Sequence, residues 1–103
     1  MNATNFAPVG LCDKVDLVET YMKNNKEIYL PWISEVFMKK TMAIPRLFFI
    51  IHTEELSEEQ RNFWRGTLAF FKDFDGWSVD VTIGDKETWN DYEYEHKFWT
   101  KIF

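Results

Sequence analysis

What this chain has little of sets the first limits. Its 103 residues hold one cysteine, two histidines, three prolines and four glycines. A single thiol, Cys12, cannot close an internal disulfide, so a reducing, cytoplasmic setting is the expectation. No run approaches the roughly 18 consecutive apolar residues a membrane span needs. Met1 to Leu11 lacks both an early Lys or Arg and an apolar stretch of useful length, so neither a targeting segment nor a membrane partner is expected. There is no Gly-rich phosphate loop, no paired-cysteine metal motif and no serine nucleophile elbow. His52, with Glu54 and Glu55, reads as a solvated strand end, and His96 has no second ligand one helical turn away beyond a weak carboxylate. Asp73-Phe74-Asp75-Gly76 begins like a calcium loop but lacks the later ligands and closing glutamate. Catalytic residues, metal ligands and cofactors are therefore assigned to none, and a non-enzyme is the expectation.

Aromatic side chains are abundant instead, with ten Phe, five Trp and four Tyr. Large rings bury much area per residue, so a domain of this size can build a core without disulfide or metal staples. Charge is uneven. Residues 1–53 hold six Lys/Arg against five Asp/Glu, while residues 54–103 hold six against twelve, within a net charge of −5. An acidic second half opposes general nucleic-acid affinity, although a local basic face can survive in an acidic protein.

The chain is organised around Arg46 to Phe74. Leu47-Phe48-Phe49-Ile50-Ile51 is five consecutive large apolar residues, the pattern of a central strand buried on both faces. Ser57-Glu58-Glu59-Gln60 is a capping box and opens a helix. On that helix Phe63, Trp64, Thr67, Leu68, Phe70, Phe71 and Phe74 fall on an arc roughly 160° wide, with Arg61, Arg65 and Lys72 opposite.

Upstream, residues 1–10 read as a loosely held arm with Phe6 as its anchor. Leu11, Val15, Val18 and Met22 recur at helical spacing behind a capping Asp13, Glu19 and Lys23 stand at i,i+4, and Asn24-Asn25 ends the helix. Lys26 to Leu30 admits a short strand, and Pro31 to Met42 a second helix that buries Trp32, Ile33, Val36 and Phe37. Downstream, Asp73 to Gly76 is a helix stop. Trp77, Val79, Val81 and Ile83 alternate as the core face of a strand with one wet side. Asp85 caps a final helix over Lys86 to Lys101. The expected fold is a single α+β domain over residues 11–103, about four helices packed on a sheet of two to three strands.

That final helix carries two apolar stripes. Trp89, Tyr92, His96, Trp99 and Phe103 form one seam, while Tyr94, Phe98 and Ile102 lie on another side with Asp91, Glu93 and Glu95 among them. One stripe can cover the sheet and the other needs a second cover, so another protein or a second copy is the expected partner. Tyr94, Phe98, Ile102, Trp89, Trp99, Asp91 and Glu95 are the candidate contact residues. The alternative is nucleic acid, held on the basic helix face by Arg61, Arg65 and Lys72.

The segment Leu56-Ser57-Glu58-Glu59-Gln60-Arg61-Asn62-Phe63-Trp64-Arg65-Gly66 resembles a pattern in small phage recombination-accessory proteins of the NinB type. There an apolar strand leads into a Ser-x-x-Gln helix start and an aromatic pair. The match covers about a tenth of the chain. It implies a role on single-stranded DNA or in a recombination complex, with Gln60, Arg61 and Arg65 as contacts. More broadly, a small, acidic, aromatic-rich, uncatalytic chain looks like phage or mobile-element proteins that bind a host protein, as an inhibitor or accessory factor would.

Overall fold

The computed structural model describes residues 11–39, 45–52 and 55–103, with the side chains of residues 11–13 and 93–95 left aside. The expected arm at residues 1–10 lies outside the described residues. At the centre is the apolar run, strand β2 (Arg46–Ile51). In a strand, successive side chains point to opposite faces. Leu47 and Phe49 accordingly enter one core, Phe48 and Ile50 enter another, and all four are buried. The run is therefore a central strand, as its composition implies. Among the described residues the sheet has four strands, one more than the upper expectation, in the order β3-β2-β1-β4.

Strand β1 (Ile33–Lys39) pairs antiparallel with β2 and replaces the expected helix over Pro31 to Met42. The difference has a physical origin. The register slips between Ile33 and Glu35, leaving Ser34 as the extra residue of a bulge, its hydroxyl donating to the Ile50 carbonyl at 3.3 Å. One extra residue changes the parity of the strand. Ile33, Val36 and Met38 therefore share a face, so Trp32 and Val36 meet in the first core as residues one helical turn apart would, whereas Ile33 and Phe37 part to opposite sides of the sheet. Lys26 to Leu30 fails in the opposite sense. The short helix α2 (Lys26–Tyr29) replaces the expected short strand, and it buries Tyr29.

Helix α1 (Leu11–Asn24) and helix α3 (Glu58–Lys72) share the first core. Asp13, the expected cap, lies inside α1 rather than ahead of it, but the helix ends at Asn24 as expected and carries the Lys23–Glu19 ion pair at 2.8 Å. The capping box of α3 forms as read: Ser57 Oγ accepts from the Gln60 amide at 3.2 Å, and Gln60 Oε1 accepts from the Ser57 amide at 3.3 Å. Trp64, Thr67 and Phe71 are buried, whereas Leu68 and Phe70 at the edges of the arc stay exposed.

After α3, Asp75 and Gly76 take φ of 54° and 88°. Two successive positive φ values make a type I′ turn, for which Asp-Gly is a favoured pair. Phe74 and Trp77 close it through amide-to-carbonyl bonds of 2.7 and 3.2 Å. The following strand, β3 (Asp80–Gly84), starts three residues later than the alternation from Trp77 implies and runs parallel to β2. Val79, Val81 and Ile83 still face the first core.

The expected helix over Lys86 to Lys101 does not form. Asp85 caps it as expected, its carboxylate accepting the Thr88 amide at 2.7 Å. Helix α4 nevertheless spans only Lys86–Asn90, a 3₁₀ turn follows at Glu93–Phe98, and strand β4 (Trp99–Lys101) pairs antiparallel with β1. The outer edge of β1 needs a hydrogen-bonding neighbour, and the chain end supplies it. Beyond β4, Ile102 N donates to Val36 O and Val36 N to Phe103 O, both at 2.8 Å. The result is an α+β sandwich: α1 and α3 on one side of a mixed sheet, α4 and the 3₁₀ turn on the other.

Replacing Ser57 by Ala removes the cap acceptor of α3 and should destabilise the protein by about 1 kcal/mol. Thermal unfolding followed by circular dichroism should show a midpoint lowered by roughly 4–8 °C. An unchanged midpoint would mean that the box contributes nothing in this context.

Candidate functional site

The rings of the expected C-terminal seam do meet, but inside the second core. Trp89 is buried against Phe37, with ring centroids 4.1 Å apart and planes 16° from parallel. His96 stacks on Trp89 at 4.2 Å and 9°. Its Nε2 lies 2.8 Å from the Trp89 carbonyl, so that nitrogen is the donor. The same carbonyl accepts the Tyr92 amide at 3.0 Å, so the freed end of α4 is satisfied twice. Phe48 meets Trp89, Tyr92 and Trp99 edge-on at 5.1, 5.5 and 6.2 Å. Phe103 departs from the seam and packs on the opposite side of the sheet.

Trp89 and Ile102 are therefore core residues rather than docking anchors, and Trp99 is half-buried among these rings. The stripe Tyr94, Phe98, Ile102 is broken because its helix is absent. Phe98 stays 41% exposed, with Lys97 Nζ 5.1 Å and Lys39 Nζ 5.8 Å from its ring centroid. Asp91 is exposed. The side chains of Tyr94 and Glu95 lie outside the described residues.

The residues proposed for nucleic acid lie where the wheel places them. Arg61, Arg65 and Lys72 are exposed on α3. Arg65 is engaged locally, donating to Asn62 Oδ1 at 2.8 Å with Glu58 Oε1 at 4.0 Å. Gln60 is occupied by the cap. The exposed ring of this helix, Phe70, sits about 140° around the axis from Arg65, so ring and guanidinium do not form a joint surface. His52 and Glu55 are exposed at the end of β2, and Glu54 lies outside the described residues. Among the described residues no three His, Cys, Asp or Glu side chains gather as for a metal ion, and no helix is long and apolar enough to cross a membrane.

A different surface emerges on the outer side of α1. Asp16, Leu17, Thr20, Tyr21, Asn24 and Asn25 line an open groove with Phe74, about 610 Å³ in volume. Val15, Val18 and Met22 turn α1 toward the core, which puts Leu17 outward at 46% exposure. Phe70, 42% exposed, stacks on Tyr21 at 5.0 Å and 30°, and Phe74 meets Tyr21 edge-on at 5.6 Å. Tyr21 is held in place. Its hydroxyl lies 3.1 Å from that of Tyr29, and its carbonyl accepts from Asn25 Nδ2 at 2.8 Å. The sequence signals for this groove are slight: a leucine one position ahead of the α1 stripe, and a phenylalanine at the margin of the α3 arc. No family model matches the chain, and no curated protein or solved structure does so either.

The Tyr21–Tyr29 pair makes the groove's support sensitive to alkali. Burial above all, then the hydrogen bond and charge of Tyr21, push the Tyr29 phenol well above its usual range. Below about pH 10, where an unfolded tyrosine ionises, both states keep the proton and this group's contribution to stability is intact. Above that pH the unfolded chain releases the proton while the folded chain retains it, so stability falls as pH rises, by up to about 1.4 kcal/mol per unit. Urea midpoints between pH 8 and 11 should fall less steeply for Tyr29→Phe than for the parent. Equal slopes would show that Tyr29 does not hold its proton in the fold.

Proposed function

We propose that this chain is a small protein-binding module that seats a segment of a partner in the groove between α1 and the end of α3, as an inhibitor or accessory factor would. One observation carries the reading. Leu17 and Phe70, each more than two-fifths exposed, flank a concave apolar surface whose floor, Tyr21 and Phe74, is locked by ring packing and hydrogen bonds. Preformed concave apolar surfaces suit anchor side chains, and an amphipathic helix fills such a groove with residues one turn apart. The partner segment is apolar and cationic, because Asp16 lines the groove and the chain carries a net charge of −5. Electrostatic attraction of that kind mainly speeds association, while the apolar anchors set its lifetime.

A 14-residue Leu/Lys amphipathic peptide and its Leu/Glu counterpart serve as probes, with affinity read by calorimetry. The Leu/Lys peptide should bind, and Leu17→Gln and Phe70→Gln should each raise its Kd at least about tenfold, or 1.4 kcal/mol. Both substitutions keep the net charge, so a purely ionic attraction would leave the affinity unchanged. That outcome, or equal affinity for the Leu/Glu peptide, would overturn the reading.

A further inference from the structure

The two edges of the sheet are treated differently. β4 is three residues long and ends in an exposed lysine, Lys101, the usual way of blunting an edge against further pairing. β3 has five residues in unbroken register with β2 and contains no lysine, proline or bulge. Its one charge, Asp80, is drawn back over its own sheet by Arg46 Nε at 2.8 Å. Among the described residues no strand pairs with its outer side. Beside that edge Leu68 of α3 remains 43% exposed, and Leu68, Lys72, Ser78, Val79, Asp80 and Val81 line a groove of about 370 Å³.

The direction of the free backbone groups follows from one bond. Asp80 N donates to Pro45 O at 3.0 Å, toward β2. Peptide groups alternate sides along a strand, so Asp80, Thr82 and Gly84 bond inward while Val81 and Ile83 present their N–H and C=O outward. We propose that this edge docks a second copy of the chain, antiparallel about a twofold axis through Thr82, making one continuous eight-stranded sheet.

The strand is complementary to itself in that register. Val81 faces Ile83 of the second copy and Ile83 faces its Val81, and both are hydrogen-bonded pairs, so all the outward groups of the two strands are satisfied in four bonds. Thr82 meets Thr82 in the closer, non-hydrogen-bonded position, where threonine pairs are favourable. Asp80 meets glycine rather than another carboxylate. Neighbouring twofold registers lack these properties. Centring on Val81 requires the outward amide of Val79, which already donates to Phe71 O at 2.8 Å. Centring on Ile83 sets Val81 against Asp85, the N-cap of α4. The groove beside the edge holds one cation and one anion, Lys72 and Asp80, which matches the neutral Val-Thr-Ile centre of a second β3 better than a charged peptide. This contact is independent of the groove on α1.

Sedimentation velocity of the full chain tests it. The parent should be dimeric at about 100 μM and dissociate on dilution. Val81→Pro removes an outward amide and no hydrogen bond to β2, a position where a strand tolerates proline, and should weaken dimerisation at least tenfold. Thr82→Lys and Thr82→Glu should each be monomeric alone, through like charges placed directly opposite, and should form a mixed dimer when combined. A monomeric parent at that concentration, or Lys and Glu variants that dimerise alone as well as the parent does, would overturn the proposal.

Discussion

One strand is shared by two cores, and the rest of the molecule depends on that sharing. Leu47 and Phe49 on one side of β2, and Phe48 and Ile50 on the other, are all buried. Each such side chain contributes about 1.5–3 kcal/mol when removed from water. Neither layer of helices can be lost without exposing two of them. The need to cover both faces accounts for the architecture: α1 and α3 on one side, and on the other α4, a 3₁₀ turn and their rings.

This demand also settles where the rings go. Phe71 and Trp64 complete the first core, while Trp89, with Phe37, Tyr92 and Trp99 packed against it, completes the second. What is left at the surface is consequently informative. Leu17 and Phe70 stay more than two-fifths exposed, and they stand beside a groove of about 610 Å³. Tyr21 links the two worlds, since its ring floors the groove while its hydroxyl meets that of buried Tyr29. The surface is thus held in place from within.

What could be read from the sequence was local chemistry. The capping box at Ser57, the Asp85 cap, the Glu19–Lys23 pair and the two-sided run of β2 each depend on residues a few positions apart, and each is found. Two elements misled because their spacing copied another structure. Around the bulge at Ser34, Trp32 and Val36 pack in one core at the four-residue interval of a helix. Trp89, Tyr92, His96 and Trp99 converge on one core, as a seam on a helix would, yet across a short helix, a 3₁₀ turn and a strand. Here the unsatisfied edge of β1 outweighed intrinsic helix preference, a tertiary effect that no local window contains. The groove was hidden for a related reason. Whether Phe70, at the margin of its arc, faces core or solvent depends on where α1 lies.

Native-state hydrogen exchange read against urea unfolding tests the shared strand most directly. If β2 belongs to both cores, the Phe48, Phe49 and Ile50 amides open only with the whole molecule, and their opening free energy equals that of global unfolding. If those amides open at lower free energy than the amides in the middle of α1 or α3, the two cores do not depend on β2 and the account is wrong.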